Sequence, residues 1–334
     1  MSKKIAVLGA TGAMGQYLVP KLAAKGFMVD AVSIDDVAPG KSDNIRYIKL
    51  DAKDWYALGD LMDENHYDGM VDFMCYQTDY LTPTLPRMLD KVGHYIYLSS
   101  CRVYADSAQP IKEEADRIID VTDNQLLLNS DDYCIHKARG ENILHLLGKN
   151  NFTIIRPAIT YSLMRYQLVS LEAANTLGRA RAGKKVLLPE GTRYKTTTMS
   201  WAGDVADMIA GIVCNSDAMG ETYNVCSSEV HTWEEIAEYY RDICGLESVW
   251  IPNEDYLKVV ASDPYWPSTR YMLEYSRMFD HQLDNSKVLQ LTGMKQENLM
   301  KLYDGLKYEI GRCPADVVWK NNDKMDEYIA KHNL

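Results

Sequence analysis

The chain has 334 residues, 46% of them hydrophobic, and a formal net charge of −11. There is apolar material for one large domain or two closely joined ones, and the acidic balance excludes a nucleic-acid surface, which needs clustered Lys and Arg. The 7 Cys contain no C-x-x-C pair and the 7 His no His-Glu-x-x-His, so neither a disulfide framework nor a metal site is expected.

A strand-like run begins within about three residues of the start, which leaves no room for a signal peptide. No apolar stretch approaches the roughly 18 residues of a membrane span. A soluble protein of the reducing cytoplasm, with no membrane partner, is therefore expected. Strand-like runs occupy 4–8, 28–34, 46–50, 69–73, 94–98 and 152–155, and helix-like runs 13–25, 53–63, 80–92 and 131–149. Such alternation predicts an α/β fold: a doubly wound parallel sheet of the Rossmann type, with ligands beyond the carboxyl ends of the strands where strand order reverses. Beyond it, residues 195–201 read as a β-branched strand and 204–214 as a helix apolar on one face. Residues 222–226 read as a strand, and 232–244 as a helix opened by a Thr232/Glu235 capping box. The expected division is a dinucleotide-binding domain of residues 1–160 plus 196–227. A smaller, mostly helical substrate domain is expected from 161–195 plus 228–334.

Gly9-Ala10-Thr11-Gly12-Ala13-Met14-Gly15 lies between the first strand and the first helix. A glycine turn there brings backbone N–H groups and a helix N-terminus up to a pyrophosphate. Further on, Tyr133 and Lys137 stand at i and i+4 of one helix, hence on one face. A neighbouring ammonium favours the phenolate, which equips a tyrosine to exchange a proton with a hydroxyl or carbonyl. The apolar run Tyr95-Ile96-Tyr97-Leu98 ends in Ser99-Ser100, placing hydroxyls at the sheet edge where ligands bind.

In this order, on an alternating chain, these elements resemble the extended short-chain dehydrogenase/reductase family, its nucleotide-sugar epimerase and dehydratase group. Further matches are Val103-Tyr104, Ile154-Ile155-Arg156-Pro157, Trp201-Ala202-Gly203-Asp204 and Glu221-Thr222-Tyr223-Asn224. The resemblance implies Tyr133 as acid/base, Lys137 as its tuning cation and ribose contact, and Ser100 as the holder of the substrate oxygen. It implies an NAD(P) cofactor bound by Gly9, Thr11, Gly12, Ala13, Met14, Gly15, Asp35, Asp51 and Ala52, with Tyr133 and Lys137. The implied partner is a small molecule, a nucleotide sugar, and a homodimer is allowed for.

The chain departs from the family pattern in several places. Counting from Gly26, the acid that binds the NAD ribose is due at Ser33, and Asp35 comes two positions late. No cation stands there for a 2′-phosphate, so NAD is expected over NADP. Ser100 is followed by Cys101-Arg102 rather than the Asp-Glu of 4,6-dehydratases. The family's diphosphate-clamping Arg falls by count on Thr197, which leaves Arg193, Lys195 and Arg270 as candidate substrate-binding cations. The fourth strand ends in a bulky Phe73-Met74-Cys75-Tyr76, as in an atypical branch that includes RNA-binding chloroplast proteins, a role the acidic charge disfavours. Aromatic residues between 250 and 275 (Trp250, Tyr256, Tyr265, Trp266, Tyr271, Tyr275) fit either a stacking site or a core. The expected activity is NAD-dependent, epimerase-like oxidoreduction of a nucleotide sugar. The alternatives are an NAD(P)-dependent reductase of a small carbonyl compound and a cofactor-holding binding protein.

Overall fold

Most strands of the first half are short and apolar on both faces, the pattern of a sheet covered on each side. A computed structural model of the chain describes residues 2–37, 42–261 and 267–334. In it these runs form β1 (Lys4–Leu8), β2 (Met28–Ser33), β3 (Ile45–Lys49), β4 (Gly69–Asp72), β5 (Tyr95–Leu98) and β6 (Phe152–Pro157). The strand Thr222–Val225 completes a seven-stranded sheet in the order β3-β2-β1-β4-β5-β6 and then 222–225. Every pairing within it is parallel. β3 is half-exposed, as suits an edge, whereas β4 and β5 are fully buried. Strand order reverses between β1 and β4, so the carboxyl ends of these strands open a crevice there.

Helices cover both faces. α1 (Gly15–Ala24) and the Ala202–Ile212 helix pack Leu18, Leu22, Val205, Met208 and Ile209 against one side. α2 (Trp55–Glu64), α3 (Thr78–Lys91) and the Tyr133–Leu146 helix supply Leu58, Met62, Leu85, Met88 and Leu144 to the other. The helix expected from residue 13 begins only at Gly15, because residues 11–14 are used by the glycine turn.

A second apolar core gathers Leu187, Leu188, Trp233, Ile236, Tyr240, Tyr256 and Leu306. The Thr232/Glu235 capping box opens the Trp233–Cys244 helix, and Gly245 ends it in the left-handed region at φ 74°. The single strand expected at 195–201 is divided in two. Thr196–Thr197 pairs antiparallel with 231–232, and Met199–Trp201 pairs parallel with 159–161. Tyr256 is a core residue here, while Tyr265 and Trp266 lie outside the described residues. Among the described residues no helix is long and apolar enough to cross a membrane, and no group of His, Cys, Asp or Glu could hold a metal ion.

Several of the matching motif residues tie the sheet to the Tyr133–Leu146 helix. Glu141, fully buried on that helix, accepts from Arg156 Nε at 2.8 Å and Nη2 at 2.6 Å, from Arg117 Nη1 at 3.0 Å and from Ser99 Oγ at 2.5 Å. The Tyr104 hydroxyl donates to Asn224 Oδ1 at 2.7 Å, joining the segment after β5 to the seventh strand. A Cβ at Gly140 would run into the Tyr97 hydroxyl, so glycine lets the helix lie against β5.

Candidate active site

The glycine turn follows β1 directly. Gly9 has φ +75°, and a Cβ at Gly15 would come within 2.5 Å of the Ala10 carbonyl oxygen. Both positions therefore require glycine, one for conformation and one for close approach. The amides of Ala13 and Met14 donate to no protein acceptor among the described residues, and α1 has no side-chain cap. Free N–H groups at a helix start suit an anion. They open onto a cavity of about 600 Å³ at the carboxyl ends of the strands. Gly9, Thr11, Gly12, Ala13, Met14, Gly15, Asp35, Asp51, Ala52, Tyr133 and Lys137 all line it. Asp35 accepts from Thr11 Oγ1 at 2.6 Å, and its own amide donates to Ser33 Oγ at 3.1 Å. A bend after β2 thus brings into the cavity wall an acid that strand counting placed two positions late. Free amides at a helix start, an acid beside them and a buried lysine further along are groups that fit a dinucleotide.

Lys137 is buried, and its Nζ donates to Leu98 O at 2.7 Å and Met74 O at 3.2 Å. An ammonium has three N–H donors, so one remains for a group in the cavity. Nζ lies 5.7 Å from the centre of the Tyr133 ring, and the Arg102 guanidinium lies 5.1 Å from it. The tyrosine is therefore flanked by two cations, of which the sequence pattern signalled one. The Tyr133 hydroxyl has no hydrogen-bond partner among the described residues and lines a second, adjoining cleft of about 230 Å³. Ser100 lines the same cleft. Its Oγ accepts from the Arg102 amide at 3.2 Å, which leaves its hydroxyl hydrogen free for a ligand.

Other groups near the site were not legible in the sequence. Cys75 Sγ lies 3.3 Å from His136 Nε2, and His136 Nδ1 lies 3.1 Å from the Asp131 carbonyl oxygen. A carbonyl can only accept, so Nδ1 carries the proton and Nε2 accepts from the thiol. Burial and the charge of Lys137 hold the His136 pKa below its ordinary value. Asp72, fully buried at the end of β4, is pushed up by burial despite donors at Tyr95 and Met74.

Arg193, Lys195 and Arg270 line neither cavity. Arg193 pairs with Glu234 at 2.5 Å, Lys195 with Asp280 at 3.2 Å, and Arg270 with Glu254 at 2.8 Å and Glu274 at 2.9 Å. The arginines that do line the second cleft are Arg102, Arg165 and Arg277. Counting along residues 193–201 as one strand fails because that run changes partners at Thr198.

Residues 5–226 match the model of the NAD dependent epimerase/dehydratase family. The chain belongs to that family; it is an enzyme, and its cofactor is NAD. Similar solved structures include a UDP-glucuronic acid 4-epimerase from Bacillus cereus, in complex with UDP-glucuronic acid and NAD. It is 17% identical with a TM-score of 0.67, over 92% of this chain and 98% of that one. A dTDP-glucose 4,6-dehydratase from Bacillus anthracis str. Ames, in complex with NAD, is 15% identical with a TM-score of 0.68, over 93% and 96%. A UDP-N-acetylglucosamine 4-epimerase from Methanobrevibacter ruminantium M1, in complex with UDP-N-acetylmuramic acid, is 14% identical with a TM-score of 0.69, over 93% and 97%. At these identities the likeness is one of fold. No curated protein matches the sequence.

Proposed function

We propose that this enzyme is an epimerase-like oxidoreductase of a nucleotide sugar, working through Ser100, Tyr133 and Lys137. The observation that carries the reading is the unpartnered Tyr133 hydroxyl at the junction of the two cavities, between the Lys137 and Arg102 cations. NAD, when bound, supplies a reversible hydride acceptor. Gly9 to Gly15 would hold its pyrophosphate, Asp35 a ribose hydroxyl pair, Asp51 and Ala52 the adenine end, and Lys137 the second ribose. Tyr133 Oη takes the proton of the substrate hydroxyl during oxidation and returns it during reduction. Ser100 Oγ holds the same oxygen in line. The carbon loses and regains hydride, so the reaction is redox-neutral and inverts one centre.

Segments 161–195 and 228–334 act, in this reading, as a substrate domain. Arg165, Gln167, Met272 and Arg277 bring its side chains to the second cleft. Nucleotide-sugar neighbours of the same fold support the substrate class, and a cytoplasmic location goes with it. The modest volume of the second cleft and the ion pairing of Arg193, Lys195 and Arg270 favour one other reading, a reductase of a smaller carbonyl compound. Incubation with NAD and a panel of nucleotide sugars, and in parallel with NADH and a panel of simple carbonyl compounds, followed by proton NMR and NADH absorbance, separates them. The epimerase reading expects a new epimer at constant total NADH. Conversion of carbonyl compounds with stoichiometric loss of NADH, and of no nucleotide sugar, would replace it with the reductase.

A further inference from the structure

The wall of the second cleft carries Arg102, Arg165 and Arg277 and no carboxylate, in a chain of net charge −11. Arg165 has no side-chain hydrogen bond or ion pair among the described residues, although its backbone is fixed by Ser162. Arg277 is 5% exposed and donates only to the Val169 carbonyl oxygen at 2.8 Å and to Ser276 Oγ at 2.9 Å. Among the described residues no carboxylate forms an ion pair with it, and only the more distant Glu172 acts on it as a carboxylate. Burial, and then the nearby Arg102, push its pKa down to about 10, which still leaves it charged at neutral pH.

Arg102 is the member set closest to the chemistry. It stands two residues after Ser100 and lies over the face of Tyr133. One Nη donates to Asp132 at 3.0 Å, but that carboxylate already caps the helix by accepting from the Cys134 amide. The Arg102 Nε is buried with no hydrogen-bond partner among the described residues. A buried donor without an acceptor is costly, and a guanidinium fork matches a planar or tetrahedral oxyanion. The unmatched donors and the excess positive charge therefore converge beside Ser100 and Tyr133.

We infer that the reacting part of the substrate itself bears an oxyanion, a carboxylate or a phosphate, and that Arg102 is the residue selecting it. This charge is additional to any diphosphate of the nucleotide. The inference rests on the reading that Ser100 and Tyr133 face the reacting carbon. It makes Arg102 a specificity residue, because a neutral hydroxymethyl group in the same place brings no anionic acceptor to its unpartnered Nε.

The test is calorimetric titration of the full-length, NAD-loaded protein with pairs differing only in that charge. UDP-glucose is compared with UDP-glucuronate, and glucose with glucuronate and with glucose 6-phosphate. The anionic member of a pair should bind at least about tenfold tighter, the scale of a charge-assisted hydrogen bond. The stronger of glucuronate and glucose 6-phosphate tells carboxylate from phosphate. In Arg102→Gln the preference should fall to less than about threefold, while Arg102→Lys, which keeps the charge and loses the fork, should retain part of it. Equal affinity for neutral and anionic partners in the wild type would overturn the inference, as would a preference that persists in folded Arg102→Gln. The wild-type comparison decides even where that variant fails to fold. Binding of the free acids with the expected preference, without binding of either nucleotide, would uphold the inference and remove the nucleotide-sugar reading. Binding of both nucleotides alike would do the reverse, and failure of every probe to bind would remove both.

Discussion

Individual side chains at the cavity make the cofactor site testable without a substrate. Cys75 is the one thiol of the 7 that is exposed, and it lines the larger cavity. Alkylation with iodoacetamide should modify Cys75 first, and saturating NAD should slow that modification at least about tenfold by covering the thiol. Gly12→Val should abolish the protection, since a branched side chain would stand in the space of the pyrophosphate; the Cβ alone would already lie 3.2 Å from the Gly9 carbonyl oxygen. Peptide mass spectrometry reads the outcome. Equal labelling of Cys75 with and without NAD in the wild type would place the dinucleotide elsewhere. The glycine turn, Tyr133 and Lys137 were legible as sequence because each is a local pattern: a turn between strand and helix, and a pair at helical spacing. Arg165 and Arg277 were not. They come from a turn and the end of a short helix more than a hundred residues apart, and meet only through the packing of the second core. Arg102 stood in plain view beside Ser100, but the sequence gives no sign that its Nε lacks a partner among the described residues.

At the scale of elements, the Tyr133–Leu146 helix is held by an ionic lock. Glu141 is buried against Arg156 of β6, Ser99 after β5 and Arg117. Burial alone would raise its carboxyl pKa, but Arg156, Ser99 and Arg117 outweigh burial and hold it below the ordinary value. A folded pKa lower than the unfolded one contributes stability that is fully present above the unfolded value of about 4.3 and is lost as pH falls through the folded value. Glu141→Gln leaves two guanidinium groups against one neutral amide, and removing one partner of a buried pair costs about 3–5 kcal/mol. Urea unfolding at neutral pH and in mild acid should show that loss at neutral pH and a shallower acid dependence in the variant. A variant as stable as wild type at neutral pH would show that the lock contributes nothing. The matches at Arg156-Pro157 and Tyr223-Asn224 are thus parts of the frame. Sequence periodicity located nearly every strand of the central sheet to within a residue or two, because both-face burial leaves a short continuous apolar run. It failed at 195–201, where a β-branched stretch changes partners midway, and Arg193 and Lys195, chosen by counting along that strand, line neither cavity.

The whole molecule brings a sheet edge and a second core together around one tyrosine. Residues from β1 to β4 shape the larger cavity, the Tyr133–Leu146 helix crosses the junction, and the second core closes the smaller cleft. The order of strands sets this arrangement, since reversal between β1 and β4 opens the crevice and the helix after β5 leads into it. The central claim is that Tyr133 exchanges the substrate proton. The direct measurement is turnover of Tyr133→Phe, at saturating NAD, on the best substrate found in the nucleotide-sugar panel. The change removes one unpartnered hydroxyl, so fold and NAD affinity should be kept. The rate should fall by about 10²–10⁴-fold, the contribution of a positioned acid/base. A Tyr133→Phe protein that turns over at near the wild-type rate would contradict the account.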